Sequence, residues 1–370
     1  MNDYPVRLLT KLLEIYSPSG KEEEISNFLA KEMEHLGFHL QRDSVGNVIG
    51  EIGQGKPVIL LCGHVDTVAG YIPVRLKNNK LYGRGATDAK SALAAMIVAS
   101  HMLSKENLPN KIIVAGVVDE EGTSKGTKQL IKDRISPDYA IFGEPSGVDN
   151  ITIGYKGNLR LKITCNTQTG HSAASWLFEN AIENAFEIWR AIQKLRLPQE
   201  KQRSRFYSIT SCLIKIKGGK LIPMVPSECE MCIDIRVPPQ FTLNQVFDEV
   251  TKIIKKHQID KPRVQVKAKI EDQCAPFEVD QSSPVVRALS LAIQKVRHKP
   301  ATLLRKTGTG DMNLLGKALG LPVVTYGPGD SHLDHALNEN IDIQEYLDSI
   351  QVYREAVTQL LKLHKKINDE

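Results

Sequence analysis

No run of eighteen apolar residues occurs anywhere in the 370-residue chain, so a membrane-spanning helix is not expected. The opening residues, Met1-Asn-Asp-Tyr-Pro5, lack the basic and apolar segments of a secretory leader, and a cytoplasmic location follows as the expectation. Cysteine is sparse: six are scattered along the chain, which fits free thiols. Cys229-Glu-Met-Cys232 has the C-x-x-C spacing. On a strand that spacing sends the two thiols to opposite faces, and no second pair completes a zinc site. Cys62 reads as a packed core residue. Aromatic residues make up 6% of the chain, without stacking platforms or a nucleic-acid motif, and no nucleic-acid partner is expected. Internal repeats and low-complexity tracts are absent too, which sets aside solenoids and fibrous arrays.

What the chain does have is a series of acids and histidines placed where buried strands end. Val58-Ile-Leu-Leu-Cys62 is short and aliphatic, the pattern of a strand covered on both faces, and Gly63, His64 and Asp66 follow it. The carboxyl ends of strands in an open α/β sheet are where ligands collect, so His64 is placed to reach a metal and Asp66 to fix its tautomer. Asp88 closes Gly83-Arg-Gly-Ala-Thr-Asp88 and precedes an alanine-rich helix. Alone it reads as a helix N-cap, yet a carboxylate can also bridge two cations. The apolar segment Lys111–Val118 ends in Asp119-Glu120-Glu121, three adjacent carboxylates that call for a nearby cation. Adjacent glutamates can divide labour, Glu121 as ligand and Glu120 as general base. Tyr139–Phe142 exits in the same way into Gly143-Glu144-Pro145, and His332 or His335 could complete a second ion after the strand Pro322–Thr325.

At 370 residues two domains are expected, and 41% hydrophobic residues suffice for substantial cores. Helices and strands alternate over 1–155, starting from a helix with the capping-box pattern Ser19-Gly-Lys-Glu22 and including strands near 47–52, 58–62, 111–118 and 138–142. Over 156–272 the order becomes β-α-β-β-α-β, with strands at 158–166, 206–217, 227–237 and 263–270 and helices at 175–196 and 242–256, a ferredoxin-like pattern. Alternation resumes over 273–370. Residues 156–272 hold 20 Lys/Arg against 12 Asp/Glu, whereas the remainder is net acidic in a chain of +5. A lysine-rich surface is usually only solvated, but it also steers an acidic macromolecular partner.

Five segments in fixed order, Gly63-His-Val-Asp66, Gly85-Ala-Thr-Asp88, Asp119-Glu-Glu-Gly122, Gly143-Glu-Pro145 and His335-x-x-Asn-Glu339, make the chain resemble the dinuclear zinc amidohydrolase and carboxypeptidase family. That family includes succinyl-diaminopimelate desuccinylase and acetylornithine deacetylase. The resemblance spans nearly the whole sequence. It implies a zinc-exopeptidase-like α/β catalytic domain with a mostly parallel sheet, formed by 1–155 and 273–370, and an inserted ferredoxin-like α+β lid and dimerisation domain at 156–272. It also implies that His64 and Glu144 bind one ion, Glu121 and His335 the other, that Asp88 bridges them, that Asp66 orients His64 and that Glu120 is the base. His335 outranks His332 because only His335 precedes x-x-Asn-Glu. Two divalent ions are implied, zinc first, with cobalt or manganese suiting similar ligands.

In the inserted domain His171, which by itself reads as a helix-start histidine, carries by resemblance the role of stabilising the tetrahedral oxyanion in a neighbouring subunit. Homodimers or larger homo-oligomers are therefore expected. Arg236 could simply pair with Asp234, but the arginine of this motif in the family clamps a substrate carboxylate. Thr307, Gly308 and Thr309 form a capping turn that also suits a carboxylate. The combination of Gly143-Glu-Pro-Ser-Gly147, Gly154-Tyr-Lys-Gly157, Asp88-Ala-Lys-Ser91 and Gly327-Pro-Gly-Asp-Ser331 most resembles members that release lysine or ornithine from the γ-glutamyl terminus of an acidic amino-group carrier protein in lysine and arginine biosynthesis. The alternative is a small-molecule deacylase acting on acetylornithine, acetyl-lysine or succinyl-diaminopimelate, or a dipeptidase.

Overall fold

The computed structural model describes residues 4–106, 109–198 and 204–369; Met1, Asn2 and Asp3 of the leader argument lie outside them. The chain divides into two compact units. One comprises Met1–Gly154, Val279–Arg305 and Gly310–Glu370, the other Tyr155–Glu278 and Lys306–Thr309. The return into the first unit falls later than 272 because the strand Gln265–Cys274 runs past that position. Among the described residues no helix is long and apolar enough to cross a membrane.

The first unit is built on a mixed sheet in which the strands His39–Arg42, Val48–Gly53, Lys111–Val117, Val58–His64, Tyr139–Gly143, Val323–Thr325 and Asn150–Tyr155 follow one another. The four central strands run parallel. Antiparallel pairing is confined to the flanks, where a short turn joins His39–Arg42 to Val48–Gly53. The central strands are aliphatic without alternation, because helices cover them. Helix Lys90–Ser104 is apolar nearly all round and buried along its length. It lies close to the sheet because the strands offer glycines there: a Cβ on Gly143 would sit 2.9 Å from Met96 Cε. Register then sets the site. Gly63 is paired with both Gly116 and Gly143, so His64, the acidic turn after Val117, and Glu144 all leave the sheet at one edge.

Two expectations fail locally. The capping box from Ser19 and Glu22 does not form. Helix Glu23–His35 starts without a side-chain cap, Glu22 accepts from the Gly20 N–H, and the Ser19 hydroxyl donates to Asp66 at 2.7 Å. The Ser19 hydroxyl thus donates to a buried carboxylate in a charge-assisted bond, and its oxygen caps no helix N–H. The first helix is in fact Tyr4–Glu14, which buries Leu8, Leu9, Leu12 and Leu13. The helix expected over 175–196 is two pieces, a 3₁₀ segment Ser172–Leu177 and an α-helix Ala181–Gln193. Asn180 causes the restart by accepting from the Ile182 N–H as an N-cap.

The second unit has an antiparallel sheet, Thr210–Gly218, Glu228–Val237, Gly157–Asn166 and Gln265–Cys274 in that order, with Ala181–Gln193 and Leu243–Asp260 as its helices, the ferredoxin-like order. Residues facing the helices, among them Leu159, Leu161, Ile163, Met231, Ile233 and Ile235, pack with Ile188, Trp189, Val246 and Val250. Alternate residues face outward, a strict period of two. Cys229 is buried and Cys232 only partly so, as the opposite-face argument requires, and all six cysteines are free thiols.

Candidate metal centre

His64 is fully buried at its strand end. Its Nδ1 lies 2.9 Å from the Asp66 carbonyl oxygen, which makes Nδ1 the protonated nitrogen and turns Nε2 outward. Nε2 is 3.2 Å from Asp88 Oδ1 and 3.6 Å from Glu144 Oε1. The other Asp88 oxygen, Oδ2, is 3.3 Å from His335 Nε2, and Glu121 Oε1 is 2.9 Å from the same nitrogen. Asp88 thus divides its two oxygens between two imidazoles. Two groups of potential ligands result, His64 with Asp88 and Glu144, and Asp88 with Glu121 and His335, and within each the ligand atoms lie within 4.8 Å of one another.

The two histidines are held differently. His335 is 52% exposed and sits in a loop with φ +61°, a left-handed conformation uncommon outside glycine. His332, three residues earlier, is 92% exposed and bonds to Asp330 outside the cluster. Of the three consecutive acids, Asp119 turns away, also at positive φ, and its carboxylate accepts from the N–H and hydroxyl of Thr123. Glu120 and Glu121 face inward. Their backbone N–H groups, each at 3.1 Å, are held by the two oxygens of Asp66.

Electrostatics show what the cluster demands. Burial, reinforced by the nearby Asp311, Asp88 and Glu121 carboxylates, pushes Glu120 well above the usual carboxylate range. Burial and then Asp88 raise Glu121. Asp88 goes the other way: burial opposes ionisation, but the hydrogen bonds with His335 and His64 hold it low. The hydrogen bond with Asp88 is the largest cause lifting His335 to about 9. Without a cation the carboxylates hold protons on the imidazoles and resist ionising beside one another. Two imidazoles and converging carboxylate oxygens are the hard and borderline donors that divalent zinc, cobalt or manganese accept, so the residues fit such ions.

In the second unit His171 is exposed and caps the 3₁₀ segment, its Nδ1 accepting the Ala173 N–H at 3.1 Å. Arg236 does pair with Asp234, Nε to Oδ2 at 2.8 Å, and its Nη1 lies 3.5 Å from Thr309 Oγ1. Two residues far apart in sequence, each read as carboxylate-binding, are thereby neighbours. Thr307 and Gly308 are exposed beside them in the chain.

Sequence reasoning left several residues of the centre unassigned. Asp311, buried as the first residue of helix Asp311–Leu319, contributes to the raised pKa of Glu120; it was legible only as the end of a glycine turn. Ser19 bonds to Asp66. Glu339 accepts the N–H groups of Thr87 and Asp88 and pairs with Arg84. The motif contained Glu339 without revealing what it touches.

Comparison with known proteins agrees with this architecture. Residues 60–359 match the model of peptidase family M20/M25/M40. A protein of Sulfurisphaera tokodaii named LysW-lysine/LysW-ornithine hydrolase is 35% identical over 355 residues, 95% of this chain and 94% of its own. One from Pyrococcus furiosus, provisionally given the same name, is 40% identical over 362 residues, 96% of this chain and 97% of its own. Among solved structures, an aminopeptidase PepT from Bacillus cereus superposes with a TM-score of 0.83 at 20% identity, covering 96% of this chain and 98% of that one.

Proposed function

The chain belongs to peptidase family M20/M25/M40, and from that membership we propose that this metal-dependent hydrolase releases lysine or ornithine from the γ-glutamyl terminus of an acidic amino-group carrier protein, LysW in the relatives' names. The observation that carries the reaction class is Asp88, with one oxygen toward His64 and the other toward His335. In this reading His64, Asp88 and Glu144 would hold one ion, and Asp88, Glu121 and His335 would hold the other. Such ions, zinc by preference, supply Lewis acidity and bring the pKa of water to about 7.

The protein's own groups do the rest. Glu120 takes a proton from the attacking water on a carboxylate oxygen and gives it to the departing amine nitrogen. Asp66 keeps Glu120 and Glu121 in place by accepting their N–H groups while fixing the ring of His64. The guanidinium of Arg236, aimed by Asp234 and beside Thr309, receives the carboxylate of the amino acid, with Thr307 and Gly308 lining the approach. His171 accepts a hydrogen bond at Nδ1, so its neutral ring carries the proton on Nε2, the tautomer that can donate to an oxyanion in a partner subunit. A homodimer is supported by the strand Thr210–Gly218, which ends its sheet with Ile214 and Ile216 exposed. A cytoplasmic setting belongs to the same reading.

The test is to incubate the purified protein and zinc with carrier charged with lysine or with ornithine, and to measure free amino acid by chromatography. Release from either charged carrier is expected. Brisk turnover of acetylornithine with no release from carrier would overturn the substrate assignment while leaving the metal chemistry standing.

A further inference from the structure

Two turns of the metal centre are each gripped by a buried carboxylate that is not among its ligands. Asp66 does this for Glu120 and Glu121. On the opposite side Glu339 does the same: its Oε1 accepts the N–H of Thr87 at 2.9 Å and of Asp88 at 3.0 Å. Its Oε2 takes a hydrogen bond from Arg84 Nη1 at 2.9 Å, in an ion pair whose side chains are 1% and 4% exposed. Arg84 also donates to the carbonyl oxygens of Gly70 and of Ala336, the residue after His335. The Thr87 hydroxyl reaches the Asn340 carbonyl at 2.7 Å.

We propose that Glu339, pinned by Arg84, is a positioning residue that locks the Asp88 turn to the His335 loop and so creates the second metal site. The proposal rests on the dinuclear reading above. The asymmetry follows from the chain. His64 and Glu144 are fixed by adjacent strands of the central sheet, so their site needs Glu339 only through Asp88. The other site takes Asp88 and His335 from two loops whose bases alone are joined, by the pairing of Asn340–Asp342 with Lys80–Tyr82, and above that pairing Glu339 belongs to the one loop while holding the other. The half-exposed ring of His335 has left-handed backbone beneath it and depends on that anchor. Outer carboxylates of this kind typically change metal affinity by about 10–100-fold.

Metal-free full-length protein is titrated with Zn²⁺ against a chromophoric chelator, and His335→Ala identifies which binding step belongs to the His335 site. Glu339→Gln places an amide N–H against Arg84 or against the Thr87 and Asp88 N–H groups. Glu339→Asp keeps a charge for Arg84 but withdraws the oxygen from those N–H groups. In both variants the His335 step should weaken by about 10–100-fold while the other step stays within about threefold. Wild-type affinity at the His335 step in either folded variant overturns the proposal, as does equal weakening of both steps or failure of both variants to fold. A wild-type protein that binds no zinc would instead sink the dinuclear reading itself.

Discussion

In the first unit the carboxylates Asp66 and Glu339 behind the metal centre are buried and grip backbone N–H groups, whereas in the second the charged side chains lie on an open sheet face and pair between strands, Lys162 with Glu230 and Arg160 with Asp272. Burial makes a charge expensive and therefore chemically potent, because every neighbour alters its protonation. Exposure leaves a charge cheap, screened and suited to attracting a partner. In the function proposed above, a single chain uses carboxylates for chemistry in one unit and cations for recognition in the other. Substitutions should separate the two uses cleanly.

The largest effect is expected from Glu120→Gln. Removing the proton carrier should cut kcat by about 10³-fold while the zinc content, measured by elemental analysis, stays that of wild type. A variant with wild-type kcat would remove Glu120 from its role. Asp66→Asn comes next. Asparagine offers one acceptor where two N–H groups and the Ser19 hydroxyl need oxygens, so the Glu120–Glu121 turn loosens and zinc affinity falls by about 10–100-fold. Unchanged affinity in a chelator competition would show that the turn holds itself.

In the second unit, reversing the exposed Lys267 and Lys269 to glutamate should raise KM for the charged carrier by about tenfold at low ionic strength, leave acetylornithine turnover unchanged, and lose its effect in high salt. An equal penalty on both substrates would mean that these lysines support the fold rather than the encounter. The smallest effect concerns the metal-free protein. His335 has its pKa raised to about 9, so the stability of its protonated pairing with Asp88 and Glu121 is fully present below about 6.5 and is lost as pH climbs through 9. Glu120, whose folded pKa is also raised, acts in the same direction from the ordinary carboxylate range upward. Tm in chelator should therefore fall between pH 6.5 and pH 9, and bound zinc should flatten that fall because a ligating imidazole is neutral. A rising Tm over that window would refute the sign.

Much of the first unit was legible because strand ends are written in the sequence. The aliphatic segments stop at Gly63, Val118 and Gly143, and His64, Asp119 and Glu144 follow at once. The central parallel strands followed from their lack of alternation, and the second unit from the change to a β-α-β-β-α-β order. The failures differ in range. Ser19 looked like a helix cap because Glu22 stands three residues on, yet its partner is Asp66, 47 positions away. The helix over 175–196 looked continuous because Asn180 was not recognised as a cap.

The amino-acid sequence by itself determined which groups reach the rim of the sheet, since apolar runs fix where strands end and the next polar residue has nowhere else to go. Only the tertiary structure decided how those groups are held. The grip of Asp66 on Glu120 and Glu121 spans 54 and 55 residues, and that of Glu339 on Asp88 spans 251. A hydrogen bond between distant backbone and side chain depends on packing and register, which leave no local periodicity for a reader of the sequence to find.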